Sequence, residues 1–124
     1  MDRNSILVLN DEYDIVNIIK EALGRENYSV IGLTESLMAL EHFNINYVSY
    51  HLVISDWRMP LMNGFDFAEN IRQKKSDIKV LLMTSFEVEN DPVFTQMFKS
   101  HNIDGFMQKP ISIKQLKNTV KNHI

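Results

Sequence analysis

Hydrophobic and polar positions alternate along this chain between two kinds of block. Ile6-Leu7-Val8-Leu9 is apolar at every position and stops at Asn10-Asp11-Glu12. A run without alternation predicts a strand buried on both faces. From Tyr13 the spacing turns helical, with Ile15, Ile18, Ile19, Ala22 and Leu23 on one face and Gly24 near the stop. Tyr28 to Leu33 predicts a second strand. Leu37, Ala39, Leu40 and Phe43 then predict a second helix, opened by Thr34 or Ser36 as its cap. His51-Leu52-Val53-Ile54-Ser55-Asp56 predicts the third strand, and Asn63-Gly64 a turn before a helix striped by Phe65, Ala68 and Ile71. Val80 to Met83 predicts a fourth strand ending at Thr84-Ser85. An acidic loop, Glu87 to Asp91, leads to a helix carrying Val93, Phe94, Met97 and Phe98. Gly105 to Gln108 predicts a short fifth strand ending at Lys109-Pro110. Ser112 with Gln115 forms a capping box for a last helix that buries Ile113, Leu116 and Val120.

Strands alternating with helices predict an α/β fold, a parallel sheet with helices on both faces. Ligands of such sheets sit outside the carboxyl ends of the strands, near the point where the winding reverses. The residues that follow strands one, three, four and five are Asn10-Asp11-Glu12, Asp56, Thr84-Ser85 and Lys109. Two carboxylates from different strands repel unless a cation lies between them, and a hard, oxygen-only donor set suits Mg²⁺, which keeps several waters. A lysine in the same pocket adds a point charge for an incoming phosphoryl group. Any one of these residues alone reads more simply as a helix cap or a surface charge; it is their coincidence at four strand ends that points to a site.

Composition narrows the picture. The 124 residues fit one domain, 1–124, with enough chain to bury a core. Cysteine is absent, which excludes disulfides, thiolate chemistry and Cys-based zinc sites. The N-terminus leads from five residues straight into the first apolar run, which is too short for a signal peptide or a membrane span, so a cytoplasmic location with no membrane partner is expected. A net charge of -3 and the lack of a helix-turn-helix segment argue against direct nucleic-acid binding. Lys114, Lys117 and Lys121 read as the solvated face of a helix. His42, His51, His101 and His123 lack metal-ligand spacing and read as surface or strand-edge residues.

The segments ILVLNDEYDI, LVISDWRMPLMNG, VLLMTS and GFMQKP, in order and over the whole chain, resemble the receiver domains of two-component response regulators. The resemblance implies a flavodoxin-like three-layer (βα)5 sandwich whose five-stranded parallel sheet runs 2-1-3-4-5. It implies a signalling module rather than an enzyme, in which Asp56 accepts a phosphoryl group from a histidine kinase or phosphotransfer protein. Mg²⁺ is then held by Asp11, Asp56 and the backbone carbonyl of Arg58, with Asn10 acting through a water. Thr84 and Lys109 would contact phosphoryl oxygens, across a cis Lys109-Pro110 bond that aims the lysine inward. Phe106 matches the aromatic that turns inward when the threonine moves, and a homodimer through the fourth and fifth helices is an option of the family.

Two features depart from the family pattern. Asn10 stands where the first of two acids is usual, and loss of such an outer contact weakens metal affinity by roughly 10- to 100-fold. It motivates an alternative, a phosphorylation-independent interaction module of pseudo-receiver type. The stretch from Thr84 to Lys109 is also longer than expected by about three residues, with Glu87, Glu89 and Asp91 in it, which suggests an unusual partner surface. A flavin or nucleotide enzyme would need a Gly-rich or hydroxyl-rich loop where NDEYDI stands, and a dehalogenase-like phosphatase would need an acid where Arg58 stands.

Overall fold

The alternating side chains of three strands divide the interior in two. Leu7 and Leu9 of the first strand, Val53 of the third, and Val80 and Leu82 of the fourth point to one face; Ile6, Val8, Leu52, Ile54, Leu81 and Met83 point to the other, and all are buried. The computed structural model describes residues 5–85 and 90–124. Its strands are β1 (Ser5–Leu9), β2 (Ser29–Leu33), β3 (Leu52–Asp56), β4 (Lys79–Thr84) and β5 (Gly105–Gln108). All pair in parallel, in the order β2-β1-β3-β4-β5. The helices are α1 (Tyr13–Gly24), α2 (Ser36–Asn46), α3 (Gly64–Arg72), α4 (Pro92–Ser100) and α5 (Ile113–His123), and a 3-10 turn at Tyr47–Ser49 follows α2. Helices α1 and α5 cover one face through Ile19, Leu23, Leu116 and Val120, while α2, α3 and α4 cover the other through Phe43, Phe65, Phe67 and Phe94. Burying each such side chain stabilises the fold by about 1.5–3 kcal/mol, which is why the continuous apolar runs end up in the middle of the sheet. Among the described residues no helix is long and apolar enough to cross a membrane.

The sandwich, the parallel sheet and its strand order are those expected from the sequence. Details at the helix ends and faces differ. Neither Thr34 nor Ser36 caps α2; Glu35 occupies that position without a side-chain bond, and the Ser36 hydroxyl donates to the Pro60 carbonyl instead. Helix α1 ends at Gly24 as expected, and the chain then passes through the left-handed region at Asn27, at φ 69°; an asparagine tolerates that region better than most residues. Asn63 is not a turn residue only but the cap of α3, accepting from the Asp66 N–H. Ile113 was expected to be buried and is exposed, and so are Ile18, Leu37 and Val93 of the other apolar stripes. In each case the apolar stripe seen in sequence is wider than the face the sheet covers, and the outermost position falls off its edge. Glu87 and Glu89 of the acidic loop, and the first four residues, lie outside the described residues. Asp91 caps α4, accepting from the Val93 and Phe94 N–H groups.

Candidate functional site

Strand order decides where a site can form. The chain moves from β1 out to β2 and then returns to place β3 on the other side of β1, so the carboxyl ends of β1 and β3 border the crevice where winding reverses. A cleft of about 190 Å³ opens there, lined by Asp11, Glu12, Asp56, Trp57, Arg58, Thr84, Ser85 and Lys109. Asp11, Asp56, Thr84 and Lys109, expected from strand ends alone, are thus brought together from four strands, with Arg58, which the family resemblance implied, beside them.

Asp56 is the last residue of β3 and is only 5% exposed. Its Oδ1 accepts from the Trp57 N–H at 3.1 Å. The Lys109 ammonium sits against both carboxylate oxygens, 3.1 Å from Oδ1 and 3.2 Å from Oδ2. Lys109 is carried there by β5, its own N–H bonded to the Thr84 carbonyl at 2.6 Å, and its peptide bond to Pro110 is cis. Burial pushes the Asp56 carboxyl above the ordinary carboxylate range; Lys109 opposes that shift and the neighbouring Asp11 carboxyl adds to it. Thr84, ending β4, is buried beside them. Behind β3, α3 begins at Gly64, whose N–H donates to the Trp57 carbonyl at 2.7 Å. A β-carbon on Gly64 would lie 2.5 Å from the Asp56 carbonyl oxygen and 2.8 Å from Leu82.

Asn10 and Phe106 do not line the cleft. Asn10 is fully buried. Its Oδ1 accepts from the Glu12 N–H at 2.8 Å and its amide nitrogen faces the Met83 sulfur at 4.0 Å. Phe106 points outward, 38% exposed, with its ring 5.7 Å from Phe94 and 5.8 Å from Phe98. Three lining residues were not among the expected site residues. Glu12 and Ser85 adjoin Asp11 and Thr84 and were visible as strand-end neighbours; Trp57 gave no polar signal, yet its ring, one residue after Asp56, is buried under the Arg58 guanidinium, 4.5 Å from the ring centre.

The donor set fits a hard divalent cation. Two carboxyl groups face one another in a partly dry cleft, and the raised affinity of Asp56 for its proton records the repulsion and desolvation that a cation would relieve. Among the described residues no group of three or more His, Cys, Asp or Glu is poised to hold a metal. Mg²⁺ takes one or two carboxylates and keeps water in its other positions, and Asp11 and Asp56 on one cleft supply two.

The model of the response regulator receiver domain matches residues 6–121. The chain belongs to the response regulator receiver family. Phosphoacceptor function and Mg²⁺ binding at an acidic pocket are general properties of these receivers, which are signalling modules that interact with histidine kinases or phosphotransfer proteins. This receiver is 29% identical over 113 residues to a two-component response regulator of Arabidopsis thaliana, and 26% identical over 117 residues to the response regulator SaeR of Staphylococcus aureus. Those alignments cover 91% and 94% of this chain but 20% and 49% of the relatives, so the receiver spans at most about half the length of either. Among solved structures, the receiver domain protein from Clostridium thermocellum superposes with a TM-score of 0.85 at 25% identity, covering 97% of this chain and 93% of that one. The Vibrio cholerae chemotaxis protein CheY4 superposes with a TM-score of 0.86 at 23% identity, covering 97% and 98%, a likeness of fold.

Proposed function

We propose that this receiver accepts a phosphoryl group on Asp56. The observation that carries the proposal is the Lys109 ammonium within 3.2 Å of both oxygens of a buried Asp56, with Asp11 on the same cleft. In the reaction a carboxylate oxygen of Asp56 attacks the phosphorus of a phosphohistidine. The new O–P bond forms as the N–P bond breaks, and the imidazole leaves with the electron pair. Phosphoryl transfer asks the protein for positioning and charge neutralisation more than for covalent chemistry. Lys109 supplies a cation for one phosphoryl oxygen as it releases Asp56, and the Thr84 hydroxyl supplies a donor for another. Asp11, Asp56 and the Arg58 backbone carbonyl would hold Mg²⁺, with Asn10 contributing through a water; the ion neutralises charge between the carboxylates and the incoming group. The remaining parts of the reading are a histidine kinase or phosphotransfer protein as donor, a cytoplasmic location, one domain over 1–124, and a homodimer through α4 and α5.

Mass spectrometry after incubation with acetyl phosphate and Mg²⁺ tests this directly. One phosphoryl adduct on the wild type and none on Asp56→Ala is expected; equal adducts on both would move the acceptor elsewhere. The engagement of the Asn10 amide with Glu12 and Met83 favours a second reading, a phosphorylation-independent interaction module. Trp57, whose N–H touches the acceptor, separates the two: millimolar Mg²⁺ followed by beryllium fluoride changes its fluorescence under the first reading and leaves it flat under the second.

A further inference from the structure

Asn10 stands where an acid is usual, and the acid that follows Asp11 borders the cleft. Asn10 is fully buried, with its Oδ1 on the Glu12 N–H at 2.8 Å and its amide nitrogen facing the Met83 sulfur at 4.0 Å. A carboxylate in its place would be a buried ion set against sulfur with one amide to satisfy it, which is costly. Glu12 lines the cleft instead. Its backbone is fixed on both sides: Asn10 holds its N–H, and its carbonyl accepts from the Ile15 and Val16 N–H groups at 3.1 and 3.2 Å as α1 opens. Its side chain is exposed, makes no cap bond to α1 and, among the described residues, enters no ion pair. A carboxylate on a rigid base, uncommitted to any cation of the chain, thus borders the same opening as Asp11, Asp56 and Lys109.

We propose that Glu12 supplies from the rim the anionic contact that Asn10 does not supply from inside: its carboxylate accepts from a water carried by the bound divalent cation. The inference rests on the Mg²⁺ part of the proposed function and deepens it by assigning one more residue to the ion. Mg²⁺ uses few protein ligands and keeps several waters, so further acids act on it mainly by accepting from those waters. Loss of such an outer contact costs roughly 10- to 100-fold in affinity. Whatever water Asn10 holds, an amide adds no charge to the attraction. Glu12 adds one, and its side chain stays in solvent until a cation arrives, so the fold avoids the desolvation cost of a third acid in the interior.

The test follows Mg²⁺ binding to the full chain by the fluorescence of Trp57, its single tryptophan, and independently by the Mg²⁺-induced rise in Tm. Glu12→Gln is expected to weaken Mg²⁺ by about tenfold, the lower end of such losses, and to leave Tm in chelator unchanged. Asp14→Asn removes the same charge from an exposed side chain that does not line the cleft; screened by solvent, its effect should stay within about twofold. In an Asn10→Asp background, where the interior carries an acid again, the Glu12→Gln loss should shrink to about twofold, because contacts that share one task are not additive. Should Asn10→Asp fail to fold, the comparison of Glu12→Gln with Asp14→Asn decides. Wild-type binding with no loss in Glu12→Gln, with an equal loss in Asp14→Asn, or with the full loss persisting beside Asn10→Asp, overturns this inference and leaves the phosphoacceptor reading intact. No Mg²⁺ binding by the wild type overturns it together with the metal part of that reading, while labelling of Asp56 by acetyl phosphate tests the acceptor separately.

Discussion

Helices α3 and α4 are each nine residues long and lie on the same face of the sheet, yet they are attached to it differently. Helix α3 buries Gly64, Phe65, Phe67, Ala68 and Ile71, where α4 buries Phe94. At its end α3 is also clamped by Arg72, whose guanidinium donates to the carbonyls of Ile78, His101 and Asn102 and pairs with Asp104 at 3.0 Å. Asp104 in turn accepts from the Val80 N–H. One helix is built into the scaffold behind Asp56 and the other rests on a single deep ring. Two amphipathic nine-residue segments on one face of a sheet can thus differ widely in how firmly they are attached.

The contrast can be broken most severely inside α3. Phe67→Ala should lower unfolding stability by about 3–5 kcal/mol, the usual cost of deleting a fully buried phenyl group, read from urea midpoints. Phe94→Ala should cost less than half as much in the same assay, because α4 can undock before the rest unfolds; equal losses would show that α4 belongs to the same cooperative unit. Arg72→Met comes next, at about 2–3 kcal/mol, since it leaves several carbonyls and the Asp104 carboxylate without their donors. Its effect should appear as faster exchange at the start of β4 and at the α4–β5 connection. Removing the α4 cap by Asp91→Ala should cost about 1 kcal/mol and raise exchange in α4 while leaving α3 unchanged.

The smallest effect concerns the acceptor between the two helices. Because burial raises the Asp56 carboxyl above its unfolded value, with Asp11 adding and Lys109 opposing, its ionisation works against folding. The favourable contribution of the protonated form is complete below the unfolded pKa and is lost as pH rises through the folded one. In chelator, the wild type should therefore lose stability relative to Asp56→Asn as pH rises from mildly acidic to neutral. A difference that is flat, or that grows in the wild type's favour, would contradict the assigned causes of the shift.

Much of this was legible in the residues. Strands β1, β3 and β4 each carry an unbroken apolar run because both faces are covered, so their ends, and with them Asp11, Asp56 and Thr84, could be read to within a residue. Helix faces were read too widely, since a stripe such as Ile15, Ile18 and Ile19 does not say how much of the helix the sheet reaches. Asn10 was assigned a role at the cleft by its place in the pattern, whereas its amide is taken up by its own loop and by Met83. The Arg72 clamp could not be foreseen, because most of its partners are backbone carbonyls, which carry no side-chain signature, and they reach 30 residues downstream. The pairing of Trp57 with Phe94 was equally hidden, for periodicity marks both as core without saying which rings meet.

Gly64 has a consequence of its own. The absence of a single carbon there lets the opening of a helix press directly on the backbone of the acceptor residue, with the Leu82 methyl closing the other side. An alanine at that point would force either the helix or the Asp56 backbone to shift without touching any side chain of the cleft. The seat of that carboxylate is in this sense set from the rear, by an atom that is missing.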